Sequence, residues 1–153
     1  TAVPTFAGTH AANAAVVGGT LLAVSICVLL HYEALSFMSR RLAGSPRDQQ
    51  RRNVVYGIMG VLLVHIIEIW VFGAAFWLVL QVEGSGRIHG ADPLQIFDAV
   101  YMAAVTYTTV GFGDLVPQGP IRFMAGMTAL SGFVLVTWSA SFTFLGMERY
   151  WKR

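Results

Sequence analysis

The sequence predicts an all-α membrane protein, with three spanning helices and one shorter helix that enters the membrane and turns back. Three observations carry that expectation. Of the 153 residues, 56% are hydrophobic and only 12% are charged, whereas about a quarter of a soluble domain is charged. Three uncharged or nearly uncharged runs are long enough to cross, since about 20 apolar residues match a hydrocarbon core about 30 Å thick. Between the second and third runs lies a helical pattern too short to do so.

The first run extends from about Ala14 to Met38 and carries no charge before Glu33. A cleaved secretory leader opens on a basic region, and no Lys or Arg precedes Arg40, so a retained helix is expected. Cys27 lies within it without a second cysteine to pair with, and is expected to pack as a small apolar side chain. The second run, Val54 to Val82, is interrupted only by Glu68, and the third, Phe123 to Met147, has no charge. Residues 1–53 are thus read as an additional helix with a basic loop, and residues 54–153 as the rest of the membrane unit.

The basic residues set the expected topology. Arg40, Arg41, Arg47, Arg51 and Arg52 follow the first run, and Arg149, Lys152 and Arg153 follow the third. Cytoplasmic flanks are enriched in Lys and Arg, and these two sites are separated by two crossings, as one orientation requires. The N-terminus is therefore expected outside and the C-terminus in the cytoplasm of a multi-pass plasma-membrane protein, with a bacterial inner membrane suggested by the compact chain. An Arg-rich juxtamembrane loop is explained by this rule, so no nucleic-acid partner is expected.

The short helical pattern runs from Pro93 to Tyr107, with Asp92 expected as N-cap and Pro93 at the first helical position. The stretch Thr109 to Asp114 follows. Non-helical backbone at membrane depth is tolerated only where it is buried in protein or lines a watery cavity. Pro117, Gly119 and Pro120 mark the return, with Pro120 placed to open the third helix.

Thr108, Thr109, Val110, Gly111, Phe112, Gly113 and Asp114 read TTVGFGD. Through this motif the chain resembles the potassium channel family, from about Val54 to Met147, while the first helix matches no part of that pattern. The resemblance implies a selectivity filter in which backbone carbonyls of Thr109, Val110, Gly111 and Phe112 replace the water shell of K+. Successive inward-pointing oxygens need alternating backbone conformations, which Gly111 and Gly113 are expected to adopt. A single loop cannot surround an ion, and the family's arrangement is a fourfold ring. The implied partners are three identical subunits and the bilayer, K+ is the permeant ion, no cofactor is expected, and no enzyme is implied.

Several positions depart from the familiar pattern. Tyr101 and Met102 stand where many members have two tryptophans, and Phe112 where many have tyrosine. Tyr101 is expected to hydrogen-bond Asp114 and brace the outer mouth. Met102 and Phe112 have no such bond to make, although a sulfur-aromatic contact is open to them. Val105 replaces a glutamate found behind the filter in some bacterial relatives, so no carboxylate pair with Asp114 can form. Thr108 and Gly113 complete the expected filter support. Gly132 aligns with the family's hinge glycine if one residue is inserted in the preceding turn, but a close-packing role is equally open and Gly126 competes for the hinge. Thr137, Ser141, Phe144 and Leu145 are expected to include cavity lining.

His65 and Glu68, three residues apart, share a helical face near the middle of the second run. Ionisable groups at that depth are costly and face protein. Two readings stand: a proton-sensitive gate or contact with the first helix near Ser25, or a packing pair that fixes helix arrangement. Metal binding is a third, for which two ligands alone are too few. His31 and Glu33 are expected at the solvated cytoplasmic boundary. Among the rivals to a potassium-selective pore are a weakly selective cation channel and a non-conducting regulatory subunit. A voltage sensor needs regularly spaced basic residues within a helix, a pattern none of the three runs contains.

Overall fold

The computed structural model describes residues 6–43 and 50–151. Of the basic residues behind the expected topology, Arg47, Lys152 and Arg153 lie outside them. The chain forms α1 (Phe6–Ala43), α2 (Gln50–Val79), β1 (Arg87–His89), α3 (Ile96–Tyr107), β2 (Val116–Gln118) and α4 (Arg122–Trp151). Three stretches are long and apolar enough to cross a membrane: His10–Arg41, Arg52–Val79 and Arg122–Glu148. The 12-residue α3 is about 18 Å long at 1.5 Å per residue, too short to span.

The elements differ from expectation at their ends, for local reasons. α1 runs further in both directions than Ala14 to Met38 and carries Arg40 and Arg41 in its last turn, where cations complement the exposed carbonyls of a helix C-terminus. α2 stops at Val79, and the chain turns, with the Val82 N–H donating to the Val79 carbonyl at 3.0 Å. The Gln81 amide caps the Trp77 carbonyl at 3.1 Å. α3 begins not at Pro93 but at Ile96, and its N-cap is Gln95 rather than Asp92. Asp98, in the first turn, accepts from the Gln95 N–H at 2.9 Å, which closes the helix start there and leaves Asp92 and Pro93 in the preceding loop.

A two-stranded hairpin is an addition to the all-helical expectation. β1 and β2 pair antiparallel, with Arg87 opposite Gln118, Ile88 opposite Pro117 and His89 opposite Val116. Pro117 is thus in a strand rather than a turn. A two-stranded ladder has only edge strands, where proline is tolerated. The Arg87 guanidinium donates to Gln118 Oε1 at 2.9 Å, so the segments entering and leaving the α3 region are tied together. α4 opens at Arg122, one turn being formed by Gly119 to Arg122 before it.

The core lies between the helices. Phe72 and Phe76 of α2, Met102 and Tyr107 of α3, and Met124 and Leu135 of α4 are buried together with Val16 and Cys27 of α1. Cys27 therefore packs as expected. α1 lies against α2 and α4, while α3 is held between α2 and α4. Large apolar side chains elsewhere on the long helices are exposed, among them Leu22, Leu29, Leu63, Phe133 and Phe144, which is the surface a helix presents to lipid or to a neighbouring subunit.

Candidate functional site: a loop at the end of a short helix and the polar cluster behind it

α3 delivers the TTVGFGD loop directly from its C-terminus. Thr108 is the C-cap, and its backbone N–H donates to the Ala104 carbonyl at 3.0 Å, as does its hydroxyl at 2.7 Å. The Thr109 N–H donates to the Thr106 carbonyl at 3.0 Å. The Gly111 N–H returns to the Val105 carbonyl at 3.1 Å. Val105 thus contributes through its backbone where its side chain offers no carboxylate.

The loop backbone alternates in hand. Thr109 has φ 58° and Gly111 φ 99°, whereas no positive φ occurs at Val110 or Phe112. Gly113 was expected to share this role but has no positive φ, and Thr109 takes the left-handed conformation instead. For a β-branched residue this is an outlier, the sort of strain that clusters at functional positions. From Thr108 to Asp114 every residue is exposed in the single chain. Val110 reaches 79% exposure, although its side chain is wholly apolar.

At the C-terminal end of the loop, the Tyr101 hydroxyl donates to Asp114 Oδ1 at 3.0 Å, the contact anticipated from the sequence. Met102, one position on, is fully buried, while Phe112 is half exposed. Gly132 of α4 packs against the Tyr107 backbone so closely that a Cβ would overlap the carbonyl oxygen, whereas Gly126 has nothing within 4 Å of the equivalent position. The close approach gives Gly132 a packing reason independent of any hinge.

Behind the α3 C-terminus lies a buried polar cluster that joins all four helices. Glu68 and His31 are both fully buried, and His31 Nδ1 donates to Glu68 Oε1 at 2.8 Å. The Tyr107 hydroxyl donates to Glu68 Oε2 at 2.5 Å. His65 Nδ1 stands 2.9 Å from both Glu68 Oε2 and Tyr107 Oη. Ser139 Oγ lies 3.3 Å from His31 Nε2, and the Trp138 ring is 5.2 Å from the His31 ring.

Two expectations are corrected here. The α1 partner of His65 and Glu68 is not near Ser25, whose hydroxyl is exposed and bonds the Leu21 carbonyl of its own helix at 2.7 Å. It is His31, which is not at a solvated boundary. Because α1 continues to Ala43, His31 lies about 18 Å before its end, inside the apolar stretch. Glu33 is exposed. Tyr107 and Ser139 were missed, although Tyr107 immediately precedes the recognised motif.

Three spanning-length helices, a short helix held between two of them and an uncovered loop at its C-terminus form the frame of an all-α membrane channel. Residues 64–146 match the family model described as "Ion channel", and the chain belongs to that family. It is similar to Protein LctB of Bacillus caldotenax, 26% identical over 119 residues, which are 69% of this chain and 89% of that protein. A voltage-gated potassium channel of Aeropyrum pernix is 31% identical over 91 residues, 56% of this chain but 28% of that protein. Two-pore potassium channel 1 of Arabidopsis thaliana is 45% identical over 51 residues, 33% of this chain and 14% of that protein. The chain thus spans less than a third of the length of these two potassium channels. No solved structure matches.

Proposed function

We propose that this chain is one subunit of a potassium-selective channel, in which four copies surround a common axis and K+ passes down its gradient through their TTVGFGD loops. The observation that carries this reading is the loop itself: left-handed backbone at Thr109 and Gly111 alternates with ordinary backbone at Val110 and Phe112, at the end of a helix too short to cross. Alternation of this kind can turn successive carbonyls the same way. Those of Thr109, Val110, Gly111 and Phe112 then take the place of the ion's hydration shell. Exposure of the loop in a single chain supports assembly, since Val110 needs a neighbour to leave water. Oligomers of identical chains close by rotational symmetry.

In this arrangement the C-terminal end of α3 points its partial negative charge toward the ion path. Thr108, Gly113, Asp114, Tyr101, Met102 and Val105 support the filter, and Gly132 and the α4 segment around Thr137 and Ser141 face or shape the inner cavity. The basic flanks of α1 and α4 lie in the cytoplasm and the hairpin outside, in a plasma membrane.

The test is purified protein in liposomes with opposing K+ and Na+ gradients. A current reversing near the K+ equilibrium potential is expected. Reversal near zero shows a weakly selective cation channel; a silent preparation is then scanned for pH-dependent opening, because a closed pore is as silent as a non-conducting subunit.

A further inference from the structure

The polar cluster places three metal-competent side chains together, none of them in the TTVGFGD loop. We propose that His31, His65 and Glu68 form a binding site for a divalent transition metal of the zinc class, separate from the filter. His65 and Glu68 come from successive turns of α2 and His31 from α1, and one ligand atom from each lies within 4.8 Å of the others. Tetrahedral zinc with bonds of about 2.0–2.1 Å holds its donors about 3.3 Å apart. Here His31 Nδ1 stands 2.8 Å from Glu68 Oε1 and His65 Nδ1 2.9 Å from Glu68 Oε2, so each nitrogen parts from its oxygen by about half an ångström to reach that spacing, while donors that lie further apart, up to 4.8 Å, close in.

The donor types select the ion. Two imidazoles with one carboxylate suit zinc and its neighbours, whereas K+, Mg2+ and Ca2+ take oxygen ligands. The permeant ion is thus a poor occupant. The surroundings have the form of an outer shell. A ligating histidine usually holds its second ring nitrogen on an oxygen, and His31 Nε2 has Ser139 Oγ at 3.3 Å, a hydroxyl able to accept from that nitrogen. Glu68 Oε2 is oriented by the Tyr107 hydroxyl, which also supplies an oxygen beside His65 for a fourth position. Burial supplies the drive: Glu68 is fully enclosed, and the basic side chains that touch it among the described residues are these two histidines. A dication held there compensates a carboxylate that is otherwise expensive at membrane depth. His65, 13% exposed, is the edge through which an ion enters.

The experiment uses the full chain, purified as the assembled protein with a tag free of histidine, freed of metal and then titrated with Co2+ and Zn2+. About one ion per chain is expected, with the visible absorption of tetrahedral Co2+ displaced by Zn2+. His65→Ala should abolish the spectrum. Ser139→Ala, which leaves all three ligands in place, should weaken binding by about 10–100-fold. The idea is overturned if the assembled wild-type protein gives no Co2+ spectrum, or if binding survives unchanged in either His65→Ala or His31→Ala, which marks an adventitious ion only.

Discussion

Gly132 of α4 lies directly against the backbone carbonyl of Tyr107, with no space between them for a Cβ. The contact joins α4 to the residue that ends α3 and precedes the TTVGFGD motif. Gly132→Ala must therefore move the α3 terminus, at about 1–3 kcal/mol for an overpacked site. Reduced K+ over Na+ permeability is expected, alongside a lower melting temperature. A pure hinge predicts altered open probability with permeability ratios unchanged, and single-channel recording across an ionic gradient separates the two.

Gly126→Ala is the matched comparison. Among the described residues, nothing beyond its chain neighbours and its own helix backbone lies within 4 Å of the added methyl position, and alanine is a better helix former than glycine by about 1 kcal/mol. Unchanged selectivity and equal or higher thermal stability are expected in the same recordings and melts.

Removing the hydroxyl of Tyr101 leaves Asp114 without the donor it has at 3.0 Å. Tyr101→Phe is expected to loosen the loop around Asp114 and to speed the decay of current during sustained conduction. If decay is unchanged, the bond does not brace the mouth.

The same bond has a pH signature. The hydrogen bond to Asp114, and then its negative charge, hold the Tyr101 phenol above its usual range, so the neutral donor is the favoured form. The contribution is whole below the ordinary phenol value of about 10 and disappears as pH rises through the raised value. Wild-type current should begin to decay faster only in strongly alkaline external solution, and Tyr101→Phe should lack that transition.

Tyr107→Phe tests the link between the cluster and the filter. It removes the Tyr107 bond and leaves Glu68 Oε2 and His65 Nδ1 paired with each other alone, a loss of about 1.5–3 kcal/mol for a hydrogen bond to a charged group. The aromatic ring remains to fill the core. Lower thermal stability of the assembled protein is expected together with weaker discrimination against Na+, measured by reversal potential.

How much of this was legible in the sequence depended on whether a signal was local. The three crossings and the short α3 followed from apolar run length, and the loop from a seven-residue motif. The Tyr101 to Asp114 contact was accessible because both residues flank that motif. Helix ends were less so: Asp92 and Pro93 form a good starting signal, but Asp98 closing on Gln95 prevailed. The hairpin was hidden because its strands have three residues each, too few for an alternating pattern. The polar cluster needed tertiary information. Glu68 at mid-membrane required a partner, and His31 was a candidate on α1, but locating it as interfacial relied on an α1 that ended too soon. Nothing in the spacing brings Ser139 to His31, 108 positions away.

One carboxylate, Glu68, receives contacts from α1, its own α2 and α3, while α4 reaches it through His31. These positions therefore cannot drift one at a time. A replacement at 68 that cannot accept hydrogen bonds leaves His31 Nδ1 without a partner and His65 and Tyr107 with only each other, and a lost imidazole leaves the carboxylate underpaired. Change at this junction has to arrive as a set, so accumulated variation should be freest on the outward faces of the long helices and most tightly correlated among residues 31, 65, 68, 107 and 139.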